Sequence, residues 1–485
     1  MPGELFTVST QIGQIFHALG GSPNLSEAVH QVMLQIAPLK NTSPIKADLE
    51  RVERNLAVPN DPEAVSRARN ILSGIEGGLV GQACKPGEVS LPQEVQERIL
   101  SLIQNEGEIA KEDSQRSLRW NREAYVRNFL REAGENPVIG GRYVEWSPLK
   151  EAPVFSAATG RKVYTKNERF QSIRCFKNRG AGFLLSHEKI RSMITGKSRE
   201  LGGNSHGNAA QGAVRQAKNW RLDWKPVLLN LPIKVAAMKH QSCVEMGALV
   251  KLFGKIFEDG EANMKRWQRE DPEGRLFVPA YDHLLVVAGQ GSLGEEILED
   301  MASRGHDKFA VVAPFGGGGL LAGLGIALEG EKRSIRVIGV NTSKVPFGHD
   351  SFKAGQIIRP ERQDIETVCE GTLLLDTGSA GFPYIRRHVS DVVLVPEELV
   401  QAGIAMYHDF GEIIEGSGAL PAAALVFGFI QALDLPPDLP IVLVESGGNI
   451  DDDVLEESVH SNGGGRWMEM MPPENRERLA KFLSN

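Results

Sequence analysis

Apolar positions follow two rhythms along this chain. Over residues 1–135 they recur at helical spacing, as in SEAVHQVMLQIAPLK (26–40) and PQEVQERILSLIQ (92–104). Asp61, Pro62 and Glu63 precede AVSRARNILSGI, giving a helix cap, a proline in the first turn and an acidic start. Residues 111–135 are strongly charged and predict a solvated helix. Residues 1–135 therefore read as a helical N-terminal extension with no chemical motif in it. A layer packed on the main body is its expected role, with docking or oligomerisation as the alternative. From about residue 140 the rhythm changes. Short apolar or β-branched runs lead into glycine-rich turns and then helical stretches: FAVVAPF (309–315), SIRVIGVN (334–341), DVVLVP (391–396) and PIVLVES (440–446). Continuous apolar runs of this length mark buried parallel strands. Strand alternating with helix predicts an α/β fold with a mostly parallel sheet, whose ligands bind where strand C-termini meet helix N-termini.

Composition narrows the class. The chain has 485 residues, 41% hydrophobic and 24% charged, as in ordinary soluble domains, and is long enough for several domains. Its 54 Lys and Arg against 62 Asp and Glu leave a net charge of -8, so no nucleic-acid partner is expected. No apolar run is long enough for a membrane helix, and MPGELFTVSTQIGQ lacks the layout of a secretory signal, so no membrane partner is expected. The four cysteines (Cys84, Cys175, Cys243, Cys369) are widely spaced and form no CxxC pair, which points to a reducing cytoplasm.

Candidate chemistry gathers at the ends of the apolar runs. AVVAPFGGGGLLAG (310–323) is a strand, four consecutive glycines (Gly316, Gly317, Gly318, Gly319) and a helix. Such a loop lets a ligand approach the backbone and aims free N–H groups at an anion, most naturally a phosphate. Gly317, Gly319 and Ala322 fit the dinucleotide fingerprint, but the next strand ends in Asn341 where that fingerprint wants an acid. No Lys-Ser or Lys-Thr follows, which removes a Walker loop. A phosphate-bearing cofactor with no ribose to grip fits better. SIRCFKNRGA (172–181) sets Lys177 beside an aromatic at a helix start, a candidate Schiff-base lysine. GGNSHGNAAQG (202–212) reads as a loop ahead of a helix, suited to a carboxylate. VLVESGGN (442–449) ends a strand in Ser446 and two glycines.

Together these segments resemble the fold-type-II pyridoxal-phosphate enzymes, in the branch of threonine dehydratase and serine racemase. Six segments occur in the family's order: YTKNERFQSIRCFKNRGA, SHGNAAQG, VPAYDHLLVVAGQGSLGEEI, GGGGLLAG, EGSGA and VESGGN. The resemblance implies two open α/β subdomains of the tryptophan synthase β type. It implies a catalytic domain over 136–485, with a smaller subdomain inserted at about 185–287. Carried over by position, Lys177 would hold pyridoxal 5'-phosphate as a Schiff base and move the α-proton. Asn208 would meet the cofactor's phenolic oxygen, Gly316 to Gly319 its phosphate, and Ser446 its ring nitrogen. Ser205, with backbone at Gly207 and Ala209, would hold the substrate carboxylate, and Glu370-Gly371 resembles a segment near the substrate. The implied activity is a dehydratase-type ammonia-lyase acting at the β-carbon of a small L-amino acid. β-Replacement of the cysteine synthase type and racemisation remain as alternatives, and a scaffold that kept only the fold is the non-enzyme one. A homodimer is expected.

Several positions depart from the family. Cys175 stands where serine is usual. His206 replaces the alanine of dehydratases or the serine of racemases, and is either a second acid/base or a steric replacement. Ala209 stands in place of histidine. Asn341 replaces an acid that relatives use for a divalent cation, so no metal is expected. LLLDTGSA (373–380) mimics an aspartic-protease motif, but that chemistry needs two copies in an all-β fold, so it is expected to be a loop. HEK (187–189) and HDF (408–410) lack metal-ligand spacing.

Overall fold

The computed structural model describes residues 144–484, apart from 236, 330–333 and 362–363. The helical extension expected over 1–135 lies outside the described residues. Leu149–Leu184, Arg199–Leu298 and Gly305–Asn485 form one compact unit. That unit contains both sheets. The remaining described residues belong to a second unit.

Ten strands follow in chain order: β1 (Leu149–Glu151), β2 (Val163–Asn167), β3 (Glu200–Asn204), β4 (Leu228–Leu231), β5 (Leu249–Leu252), β6 (Arg275–Val278), β7 (Phe309–Pro314), β8 (Ile335–Thr342), β9 (Val389–Val395) and β10 (Ile441–Glu445). The larger sheet has the order β1-β2-β10-β7-β8-β9. It is parallel except for the antiparallel edge pair β1 and β2. The smaller sheet, β5-β4-β3-β6, is parallel throughout and is built wholly from residues 200–278. The four apolar runs read from sequence are β7, β8, β9 and β10, each displaced by no more than two residues.

The large sheet explains why those runs are continuously apolar. Strands β7 and β10 are buried at every position. Two helices packed on this sheet, Gly319–Leu328 and Gly416–Val426, are also buried at every residue. Such helices have no polar face, so packing and not amphipathicity holds them. Ala419, Ala422, Ala423 and Ala424 sit in the same core cluster as Val312, Val340, Ile441 and Leu443. Small residues there let the helix backbone come close to the sheet.

Strand β3 was not legible. Glu200–Asn204 reads ELGGN, a poor strand former, and looked like part of a loop. It pairs with β4 on one side and β6 on the other, and that central position overrides its propensity. Gly202 is required there because a Cβ would lie 2.3 Å from the Met264 side chain.

One cluster inside this unit is ionic. Arg179 is fully buried. Its guanidinium donates to both oxygens of Glu168, at 2.7 and 2.8 Å, and to both oxygens of Glu296, at 2.7 and 3.0 Å. Lys166, on β2, meets Glu296 at 3.0 Å. Two cations thus balance two carboxylates where a single charge would be prohibitive. Burial opposes ionisation of Glu296, but Arg179 and Lys166 outweigh it and hold its carboxyl at about 2. That value lies below the ordinary 4.5 of a glutamate, so the pair's contribution is complete above about pH 4.5 and is lost as pH falls toward 2. Replacing Arg179 by Met leaves Glu168 and Glu296 short of a partner. Denaturant unfolding should show a loss of roughly 3–5 kcal/mol at neutral pH, shrinking as Glu296 is protonated.

Candidate active site

A cavity of about 710 Å³ opens where strand ends of both sheets converge. The loop after β10 brings Ser446, and the adjacent β7 runs into the glycine loop. The loop after β3 brings Ser205, His206 and Asn208, and the helix Lys177–Thr195 starts at Lys177. This is where parallel sheets bind ligands, and the order in the large sheet juxtaposes β10 and β7 although about 130 residues separate them.

Lys177 is positioned by a clasp between two loops. The Phe176 N–H donates to the Ser446 carbonyl at 3.0 Å, and the Gly448 N–H to the Arg174 carbonyl at 3.0 Å. Cys175 and Gly447 form an antiparallel bridge between them. Arg174 takes the left-handed conformation, with φ 56°, a costly state for a side chain that turns the loop toward Lys177. The Lys177 Nζ donates to the Ala280 carbonyl at 2.8 Å. Burial lowers its pKa to about 8, with Glu415 opposing the shift. At pH 7 about one amine in ten is then uncharged, far more than for an exposed lysine, and the neutral amine is the state a nucleophile or base requires.

Asn208 begins the helix Asn208–Asn219 and is held from both ends of its amide. Its Nδ2 donates to the two oxygens of Glu415, at 2.9 and 3.0 Å, and its Oδ1 accepts from Asn449 Nδ2 at 2.9 Å. Asn449 Nδ2 also donates to the Ile173 carbonyl at 2.9 Å. Burial raises the pKa of Glu415, while Lys239 and Asn208 pull it down. Ser205 Oγ accepts from the N–H groups of Gly207 and Ala209, at 2.9 and 3.2 Å.

The glycine loop is cut to fit. Of its four glycines only Gly318 has positive φ, 90°. Space constrains the other three. A Cβ on Gly316 would lie 3.0 Å from the Thr372 backbone, on Gly317 2.3 Å from the Tyr281 ring, and on Gly319 3.2 Å from the Tyr281 carbonyl. The backbone N–H groups of these four residues donate to no protein acceptor among the described residues. The DTGS stretch is the loop it was expected to be, and it braces this one: the Gly378 N–H donates to the Gly317 carbonyl at 2.9 Å. Ser417 Oγ is a buried hydroxyl with no hydrogen-bond partner among the described residues, and Ser417 lines the cavity.

All the site residues read from sequence border this cavity except Gly207, which lies beside it in the Ser205–Asn208 loop. Burial lowers the pKa of His206 to about 4, helped by Lys239 and Lys177 against Glu370, so its imidazole is neutral. It packs near Phe257, with ring centroids 5.8 Å apart. Asn341 lies off the cavity, donating from Nδ2 to the Phe315 carbonyl and accepting on Oδ1 from the His349 N–H at 2.7 Å. Asp409, in HDF, accepts from Gly464, Gly465 and Trp467, which is a structural role. Two charged residues escaped sequence reading. Lys239 is buried in the helix Ala237–Glu245 and meets Glu370 at 2.6 Å. Glu415 figured only inside a motif. Nothing in AMKHQSCVE marks one lysine as buried.

Unpaired N–H donors in a cradle that a Cβ would fill, facing a buried amine of lowered pKa, suit a phosphate-bearing aldehyde. The family described as pyridoxal-phosphate dependent enzyme matches residues 142–447. The chain belongs to this family, and its cofactor is pyridoxal phosphate. It is similar to the L-threonine ammonia-lyase of Geobacter sulfurreducens, 34% identical over 298 residues, which are 61% of this chain and 69% of that protein. It is also similar to the catabolic L-threonine dehydratase of Escherichia coli, 33% identical over 299 residues, 61% of this chain and 85% of that protein. Among solved structures, maize serine racemase aligns with a TM-score of 0.59 at 26% identity, covering 69% of this chain and 97% of that one.

Two outcomes follow. In cofactor-free protein, trapping of added pyridoxal phosphate by borohydride should accelerate as pH rises through about 8, and peptide mapping should find the label on Lys177. Gly317→Ala should weaken cofactor binding by at least about tenfold in an absorbance titration, because the methyl displaces the Tyr281 ring.

Proposed function

We propose that this protein is a pyridoxal-phosphate-dependent ammonia-lyase that eliminates the β-hydroxyl of a small L-amino acid of the threonine and serine class. The products are a 2-oxo acid and ammonia. The observation that carries the reading is Lys177, a buried amine with its pKa near 8, set among Ser446, Asn208 and the glycine loop in one cavity. The threonine ammonia-lyase and dehydratase names of the relatives support the same reaction class.

In this reading Lys177 would hold the cofactor through Nζ, Gly316 to Gly319 would surround its phosphate, Asn208 would serve its ring hydroxyl and Ser446 its ring nitrogen. When bound, the cofactor supplies an electron-withdrawing ring that accepts the charge left at the α-carbon. Ser446 offers that ring a neutral hydroxyl, and no carboxylate stands in its place. The free amine of Lys177 would take the substrate's α-proton on Nζ. Ser205, Gly207, Ala209, Glu370 and Gly371 face the substrate. His206 is neutral and serves as a wall or a hydrogen-bond partner, not as a cation. Three buried free thiols, Cys175, Cys243 and Cys369, support a reducing compartment such as the cytoplasm, and a homodimer is the proposed assembly.

Purified protein reconstituted with pyridoxal phosphate should release 2-oxo acid and ammonia from L-threonine or L-serine with no added nucleophile. Lys177→Ala should lower the rate at least about a thousandfold. Failure to form 2-oxo acid, with D-serine appearing or with turnover only when a thiol or amine is added, would replace the lyase by a racemase or a β-replacement synthase. Because His206 stays neutral down to about pH 4, the rate profile should show no limb near 6.5.

A further inference from the structure

The lining of the cavity is of two kinds. Part of it is ionic, and there Lys239 and Glu370 satisfy each other at 2.6 Å. Part of it is an apolar cluster of Phe257, Ala280, Tyr281 and Leu374, with Ala209 packed against it. Two of these residues join the cluster to the chemistry. Ala209 belongs to the loop that receives the substrate carboxylate in the reading above. The Ala280 carbonyl accepts from Lys177 Nζ at 2.8 Å. A substrate whose carboxylate meets the first and whose α-proton faces Lys177 has its α-carbon between them. Its β-carbon, one bond of about 1.5 Å further on, is brought within reach of the same cluster.

Within that cluster Phe257 is the ring left for the substrate. Tyr281 is taken by the glycine loop, where a Cβ on Gly317 would collide with its ring. Phe257 packs on Tyr281, and His206 packs on Phe257, each with ring centroids 5.8 Å apart. Burial keeps the His206 imidazole neutral, so it presents an uncharged ring beside the carboxylate loop. These rings are also held in register with that loop. Asn204, the last residue of β3, donates from Nδ2 to the Phe257 carbonyl at 2.9 Å, and Ser205 follows it directly. A Cβ on Gly260 would collide with Asn204 Oδ1, so the helix Phe257–Glu270 lies as close to Asn204 as a backbone allows. The Leu375 N–H donates to Glu258 at 3.0 Å, which ties the segment carrying Leu374 to the start of the same helix.

We propose that His206, Phe257 and Leu374 form the subsite for the substrate's β-substituent, and that this subsite selects an apolar group longer than the methyl of threonine. The proposal rests on the cavity being the amino-acid site of the lyase reading. A single methyl covers only a small part of a surface made of two rings and a leucine. A charged β-substituent gains nothing comparable, because Lys239 and Glu370 already hold each other and burying an unpaired charge is costly. Each carbon of an apolar chain buried there should tighten binding about fourfold. The preferred substrate is then a β-hydroxy amino acid with a short alkyl chain on its β-carbon.

The test uses the pyridoxal-phosphate-loaded full chain and amino acids that carry no leaving group. L-Alanine, L-2-aminobutyrate and L-norvaline are titrated against the cofactor's visible band and by calorimetry. Kd should fall about fourfold with each added carbon, and L-aspartate should bind more weakly than L-norvaline. Phe257→Ala should cut the gain per carbon to less than about twofold, and Phe257→Leu should restore part of it. In kinetics, kcat/KM should rise from L-serine to L-threonine to L-threo-3-hydroxynorvaline. The cofactor band, retained in a variant, shows that its site is folded. No binding of L-norvaline, equal affinity along the wild-type series, or L-aspartate bound more tightly than L-norvaline would each overturn the proposal. So would an unchanged gradient in Phe257→Ala, or in Leu374→Ala should the first variant lose the band. A gradient that depends on Phe257, in an enzyme that releases no 2-oxo acid, would leave the subsite standing and sink the lyase reading. Release of 2-oxo acid with a flat gradient would do the reverse.

Discussion

One amide holds the site together. Asn449 Nδ2 donates both to the Ile173 carbonyl and to Asn208 Oδ1, each at 2.9 Å. With one nitrogen it joins the loop that delivers Lys177, the helix that begins at Asn208 and the turn that follows β10. It also fixes which way the Asn208 amide points, because an oxygen receiving Asn449 leaves the Asn208 nitrogen facing Glu415. It thereby ties the Asn208 helix to the two loops whose backbone bonds already set Lys177 beside Ser446. The interaction is buried, where a hydrogen bond is strengthened and a missing partner is costly.

Around this clasp the protein keeps charges inside an apolar body only in balanced sets. Arg179, Lys166, Glu168 and Glu296 form one such set next to the lysine helix. Lys239, Glu370 and Glu415 form another in the cavity wall. The first is rigid, with every guanidinium nitrogen committed to a carboxylate or hydroxyl oxygen. The second is looser, with one short contact, one long one and a carboxylate partly in solvent. Lys177 has no ion-pair partner in either set, and burial lowers its pKa to about 8.

Much of this was legible in the sequence, for a physical reason. Strands β7 and β10, and β8 beyond its first two residues, are buried on both faces, so their runs are apolar throughout, and the loops after β7 and β10 carry residue types that few other tasks need together. Four consecutive glycines record three tight contacts and one left-handed turn. Strand β3 was illegible because its two glycines make room for Met264, Trp267 and Leu229, which is a fact about neighbours. Lys239 was illegible for a related reason: a buried lysine and a surface lysine are the same letter. Glu415 could be seen in its motif, but its grip on Asn208 spans 207 residues of chain.

The order of strands has a consequence for how the molecule comes into being. In the larger sheet β10 is last in sequence yet lies between β2 and β7. A chain emerging from the ribosome must therefore keep a gap between β2 and β7, or open one, until residues 441–445 arrive to fill it. Contacts between residues so far apart in sequence form late and slowly. Lys177 is made early but gains its opposing face only with Ser446 and Asn449. The surroundings of this amine are therefore finished only after residues 446–449 have been made.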